Sequence, residues 1–458
     1  MSVRLKNLDR NTPMLLPPDL RDWIPMHHIV HFIIDAVDQL PPNIFQMNQR
    51  GTGDAQYPPR MMLALLIYCY ATGRFSSRLI EESTWSDVIV RYICGGDLHP
   101  DHDTICTFRR KNKELFERAF IEVLHMAANT GKLKKVGTVS VDGTKVKANA
   151  SKHSAVSYKR AGDQIELLRK EVEELMAKAE ATDSTPLDDG LSIPEEMVRR
   201  EDRIKSLEEA RRIIEERHAA ARQSKYEKKL QKRQKQRDSG DTPKGPEPRP
   251  PKDSTPEDKK QYNFTDPASR IMKAGAGTHF EQAYNAQAAV ETESFLIVGE
   301  YVTDAPTDKN QLNPAVQCIQ SEVIDPANIL ADAGYFCGDS VVEIEKDMGP
   351  TIYCAVEKTG HHRTVSDLEK HPDPELPPED ATMKEKMKQR LRTQEGRALY
   401  NLRKQTVEPV FGIIKEVIGF RRFSMRGLEK AATEWTLICL SYNLKKMFNL
   451  PELCVQQG

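Results

Sequence analysis

Apolar positions repeat with a helical period in the first third of the chain and change to a strand period after it. The run from Pro58 to Ala71, PPRMMLALLIYCYA, is apolar nearly all round, which is the pattern of a helix buried on every face. A second helix is predicted from Ser76 to about Cys94, ending at the break Gly95-Gly96-Asp97. Beyond the break, Ile105, Phe108, Phe116 and Phe120 fall on one helical face, with Asp103 as the candidate cap. The period then shortens to two. Val139, Val141 and Val146 predict a first strand or hairpin, and Tyr284 to Val290, Phe295 to Thr303, Ile329 to Ala331 and Thr351 to Val356 predict further strands. Asn310 to Val323 reads as a crossover helix between them.

Two stretches interrupt this order. From Tyr158 to Arg237 the chain is highly charged, yet Leu167, Leu168, Val172, Leu175 and Met176 are helically spaced, as are Ile204, Leu207, Ile213 and Ile214. They predict a helical hairpin divided near Asp183 to Pro194, with a strongly basic tail, KYEKKLQKRQKQR. Its acidic first half reads as a solvated arm, and its basic tail as a candidate for DNA phosphates. Near the end, Trp435, Leu437, Ile438, Leu440 and Leu444 form an apolar stripe for which core packing is expected, a subunit interface being the alternative. The predicted organisation is a helical N-terminal domain over 1–130, a core over 131–157 and 261–450, a charged helical insertion over 158–238, a flexible linker over 239–260 and a polar insertion over 358–389. The fold class is α/β, a mixed sheet with flanking helices.

Composition narrows the class without naming an activity. The 458 residues, 38% hydrophobic, suffice for two or three domains and a sizeable core. Lys and Arg number 67 against 68 Asp and Glu, and a neutral total does not exclude nucleic acid, because local basic stripes supply phosphate contacts. Eight cysteines, none in a CxxC pair, read as reduced core thiols rather than zinc ligands. His99 with His102, and His361-His362, lack companion ligands at metal-site spacing. The most apolar run, Met61 to Tyr70, is too short to span a bilayer, and no signal segment is evident, so a cytoplasmic, nucleoid-associated protein with no membrane partner is expected.

Candidate chemistry rests on three acids in apolar surroundings: Asp142 in VGTVSVDGTKVKA, Asp332 in NILADAGYFCGDS and Glu408 in YNLRKQTVEPVFGIIKEV. Singly, each has an ordinary reading, a strand-end turn for either aspartate and a solvated helical residue for the glutamate. Jointly they read as a carboxylate triad, since buried carboxylates are costly unless offset and hard divalent cations offset them well.

These stretches together resemble the DDE transposases of bacterial insertion sequences, which have a ribonuclease H-like catalytic core. The resemblance extends to YPPRMMLALLIYCYATGRFSSRLIEE, to TDPASRIMK with Asp266, and to AYNAQAAVE with Asn285 and Gln287. It also covers a Tyr, Arg, Glu, Lys signature at Tyr400, Arg403, Glu408 and Lys415. Four residues rather than the signature's three separate Arg403 from Glu408, which leaves Lys404 as a rival for the arginine role. The resemblance implies that Asp142, Asp332 and Glu408 are catalytic and hold two divalent cations, Mg2+ or Mn2+, for in-line phosphoryl transfer. It implies DNA as partner, both the terminal inverted repeats and the target, with Tyr400, Arg403 or Lys404, and Lys415 on phosphate, and a homodimer in the DNA complex. A related metal-dependent nuclease or an inactive DNA-binding derivative are the alternatives. The basic face carrying Arg109, Arg110, Lys111 and Lys113 reads equally as a helix-turn-helix recognition surface or as the solvated side of a helical bundle. Glu408 and Lys415, seven apart, are expected on one helical face, with Pro409 starting or bending their helix.

Overall fold

The computed structural model describes residues 19–46, 55–182, 193–238, 243, 245–273, 279–357, 373–375, 377–378 and 381–450. Before the first strand every described element is helical: α1 (Ile29–Asp38), α2 (Pro59–Ala71), α3 (Ser77–Ser86), α4 (Val88–Ile93), α5 (His102–Lys111) and α6 (Lys113–Asn129), with two short 3-10 turns. Met62 to Ala71 of α2 are all buried, as its all-round apolar sequence demands. The helix expected from Ser76 to Cys94 is instead two helices. Asp87 leaves the helical conformation and its carboxylate caps the amides of Ile89 and Val90. The next helix is capped by Asp101 rather than Asp103, and it breaks at Asn112 before α6 begins.

The sheet is built from β1 (Val136–Lys147), β4 (Arg270–Lys273), β5 (Phe280–Glu291), β6 (Ile297–Thr303), β7 (Asp325–Ala331) and β8 (Thr351–Cys354), while β2 (Ala155–Ser157) and β3 (Gln261–Asn263) form a separate two-stranded ribbon. β5 takes β4 and β6 along one side and β1 along the other, followed by β7 and β8. β1 runs antiparallel to β5 but parallel to β7, and β7 parallel to β8. α9 (Leu312–Gln317) lies in the connection from β6 to β7, and α10 (Gly338–Asp347) crosses over between the parallel strands β7 and β8. β1 is one continuous strand of 12 residues, so Asp142 lies within it and not in a turn.

The inserted hairpin pairs α7 (Tyr158–Thr182) with α8 (Ile193–Asp238). It has its own small apolar cluster of Val156, Ala161, Ile165, Leu207 and Ala210, apart from the main core. The segment expected as a free linker is strapped along α8 over its described part. Arg233 donates to the Gly245 and Pro246 carbonyls, Arg237 pairs with Glu247, and Arg222 donates to the Ser254 hydroxyl. The polar insertion also holds structure near its end, α11 (Met383–Arg390), where Thr382 and Glu385 form a reciprocal capping box; residues 358–372 of it, His361 and His362 among them, lie outside the described residues.

Two late helices complete the molecule. α12 (Gln394–Gly412) lies across β1, β5, β7 and β8, runs through Pro409 and passes into a π-helical turn, Ile413–Val417. α13 (Leu428–Asn449) is packed between α2 and α6 on one side and β6 on the other, so it is buried well beyond its apolar stripe. Its polar positions are satisfied there, Asn443 bonding both the amide and the carbonyl of Ile297 at 2.9 and 2.8 Å. One hydrophobic core therefore runs from the N-terminal helices through α13 into the sheet. No helix among the described residues is long and apolar enough to cross a membrane.

Candidate active site

Register places the first two acids together. Val141 pairs with Ala331 across the parallel strands, so Asp142 and Asp332, each one residue further on, stand at neighbouring positions of β1 and β7. Glu408 arrives from α12, the helix laid over these strands. All three carboxylates close on one guanidinium. Arg403 lies 3.7 Å from Asp142 Oδ2, 3.5 Å from Asp332 Oδ1 and 3.7 Å from Glu408 Oε1. The arginine is only 5% exposed, and its Nε has no hydrogen-bond partner.

Depth separates the three acids. The Asp142 side chain is 20% exposed, against 46% for Asp332 and 53% for Glu408. Burial pushes the Asp142 carboxyl up to about 7, against the opposing pull of the Gly143 amide, which donates to its Oδ1 at 2.8 Å, and of Arg403. As arranged, no group of His, Cys, Asp or Glu among the described residues is close enough together to hold a metal ion. The donor chemistry nevertheless fits one: three oxygen-donor carboxylates already converge on a single cationic group, as hard divalent cations require.

A fourth acid, Asp308, borders this cluster and was not legible in the sequence, where TDAPTDKN is an ordinary polar turn. Its Oδ1 accepts from Asn285 Nδ2 at 2.8 Å and Gln287 Nε2 at 2.9 Å, with Lys145 Nζ at 3.6 Å. Gln287 in turn accepts from the Tyr335 hydroxyl. The three side chains also crowd Gly143. A Cβ at that position would stand 2.1 Å from Gln287 Nε2, 2.7 Å from Asn285 Oδ1 and 2.8 Å from Asp308 Oδ1. Asp266 is placed differently, fully buried and accepting from the Tyr284 hydroxyl and the Gly427 amide, a structural tie.

The basic residues fare unequally. Arg403, and not Lys404, faces the carboxylates; Lys404, about 100° further round the helix, is exposed. Tyr400 sets its ring 5.8 Å from the Arg403 guanidinium, and burial pushes its hydroxyl up to about 12. Lys415 lies in the π-turn, and its ammonium donates to the Lys145 carbonyl at 2.8 Å, which ties the turn to β1. Arg109 is a correction as well. It is 3% exposed and donates to the Tyr70 hydroxyl at 2.7 Å and the Phe75 carbonyl at 2.8 Å, while Tyr70 donates to Glu434 at 3.1 Å. A guanidinium committed to the core cannot read DNA; Arg110, next to it, is exposed.

The architecture is thus an α/β protein that gathers acidic side chains from two parallel strands and a covering helix around one cation. Residues 18–111 match a family model described as Transposase domain (DUF772), and residues 371–448 match one described as Transposase DDE domain. The two segments take in the N-terminal helices up to α5 and the helix bearing Glu408. Both are transposase domains, and they support an insertion-sequence DDE transposase. No curated protein and no solved structure gives a significant match.

Proposed function

We propose that this chain binds the ends of an insertion sequence and catalyses metal-dependent DNA cleavage and strand transfer from a ribonuclease H-like core. The observation that carries the reading is the convergence of Asp142, Asp332 and Glu408 on one point. The strand order supports it: three antiparallel strands, β6-β5-β1, continue into two parallel ones, β7 and β8, with the acids at the junction and on a late helix. Asp142, Asp332 and Glu408 would hold two divalent cations, Mg2+ or Mn2+, which when bound activate an oxygen nucleophile and stabilise the leaving oxygen of an in-line displacement.

The chain's own groups set the conditions for that step. Asp142, deepest of the three, lies within the sheet and is fixed by the Gly143 amide, whereas Asp332 and Glu408 line the open side from which a phosphodiester approaches. Arg403 supplies a delocalised, always-charged planar donor at the same point, suited to carboxylate or phosphate. Two ends to be cut and joined call for two such sites, hence a homodimer on DNA.

The test is strand transfer by purified protein on terminal-repeat DNA with Mg2+, for wild type and for Asp142→Ala, Asp332→Ala and Glu408→Ala. The expected result is joined product with wild type, a fall of at least about a thousandfold in each variant, and end binding retained. Cleavage without joining would make the protein a nuclease. Undiminished joining in any one variant would remove that acid from the mechanism.

A further inference from the structure

The two halves of α8 differ sharply in charge. Residues 193–216 carry six Lys or Arg against eight Asp or Glu, and 217–237 carry nine against one, Glu227. The first half spends its charges internally, as in the pairs Arg200 with Glu171 and Arg212 with Glu209 and Glu216. The second half cannot do so, for want of acids. Some of its cations fasten the helix to the rest of the protein: Arg217 to the Pro267 carbonyl, Arg222 to Ser254, Arg233 to the carbonyls of Gly245 and Pro246, and Lys232 to Asp339. With Arg237 paired to Glu247, Lys225, Lys228 and Lys229 are left among the described side chains. They are exposed, they make no ion pair or side-chain hydrogen bond among the described residues, and their spacing from Lys232 puts all four on one helical face.

Position gives this stripe its meaning. The middle of α8 is fixed where Tyr158, the first residue of α7, donates to Glu215, and its later part is fixed by Lys232 to Asp339 in the first turn of α10, the helix that follows Asp332. The basic half of α8 is therefore held beside the helix that follows Asp332. At 1.5 Å per residue, residues 217–237 extend about 30 Å, the length of about nine base pairs of duplex. An exposed row of unpaired lysines has strong self-repulsion, which a polyanion relieves.

We propose that the basic half of α8 is a phosphate-tracking surface for the duplex DNA that flanks the scissile phosphate, with Lys225, Lys228 and Lys229 as its contacts. It rests on the transposase reading for the identity of the polyanion, but not on catalysis. Lysine ammonium groups meet phosphates as point charges, so the surface adds affinity and orientation without sequence preference.

The experiment is equilibrium binding of the full chain to a fluorescent 30-base-pair duplex of arbitrary sequence, in EDTA, over a series of NaCl concentrations. Wild type is compared with the triple variant Lys225→Gln, Lys228→Gln, Lys229→Gln, and with the control Arg199→Gln, Lys205→Gln in the acid-balanced half. The slope of log affinity against log salt is expected to fall by about 0.9 for each phosphate no longer neutralised, up to about 2.7 in the triple variant, and to stay unchanged in the control. Circular dichroism of the triple variant should match wild type, because all three side chains are exposed. An unchanged slope in the triple variant, or an equal fall in the control, would overturn the proposal. That result would leave the active-site reading standing if the carboxylate variants still lose strand transfer, while absence of any duplex binding by wild type would overturn both.

Discussion

Arg403 is the residue on which the three acids depend for charge balance. Only Asp142 of the three is largely buried and would lose its cation, so Arg403→Gln is expected to cost about 1–3 kcal/mol, whereas exposed Lys404→Gln should stay within about 0.5 kcal/mol. Urea unfolding in EDTA distinguishes them, and equal losses would refute the assignment of Arg403 to the cluster. A second acid with a raised value adds to the pH response. Burial raises Glu300 on β6 to about 7; its Oε1 accepts from Thr436 at 2.7 Å while Oε2 is unpartnered, with Glu117 and Lys113 of α6 the nearest charges across the packing. Because the folded value lies above the unfolded one, near 4.5, its contribution is full below about pH 4.5 and is lost as the pH rises through 7. Glu300→Gln should therefore lessen the fall in stability between pH 5 and 8, the part due to Asp142 remaining, and gain about 2 kcal/mol at pH 8, read from melting curves against pH. The acids of the candidate site were legible from their apolar contexts, but which cation served them was not. Adjacent positions on a helix point about 100° apart, and spacing alone did not choose between 403 and 404. Arg109 was misleading for a different reason: beside Arg110 and Lys111 it looks like part of a basic face, and its acceptor network through Tyr70 closes only at Glu434, far downstream.

At the scale of elements, periodicity identified most strands and helices, and it failed where one residue decided a boundary. Asp87 splits a predicted helix by capping the next, and the chain breaks again at Asn112, whose side-chain amide donates back to the Phe108 carbonyl. Pro409 was expected to start or bend its helix. α12 does not start there but continues through it, and the chain passes into the π-turn that holds Lys415. The small strands β2, β3 and β4 left no pattern long enough to see. The inserted hairpin, by contrast, was plain from its spacing, and its separate apolar cluster has a measurable consequence. Leu207→Asp places a charge in that cluster and should open α7 and α8 to limited proteolysis, while the main core keeps its melting temperature within a few degrees. A core transition that fell along with the hairpin would show the two to be one cooperative unit.

For the whole molecule, the division into an N-terminal domain and a core describes the sequence better than the packing. α13 buries one side against α2 and α6 and the other against β6, so neither half can complete its interior alone. A fragment spanning 131–450 should consequently lack fixed tertiary packing, with near-ultraviolet circular dichroism lost and hydrophobic dye bound, while the full chain unfolds its main core in one transition. A fragment that melted sharply by itself would contradict this. The same placement of α13 sets an order of events during synthesis. The N-terminal helices leave the ribosome before the strands bearing Asp142 and Asp332, and the helix that joins them follows both. A nascent chain holding two of its three acids thus has no finished interior on which to align them. If the proposed function holds, competence to cut DNA would await the synthesis of α13, and shorter nascent chains would be inert towards DNA.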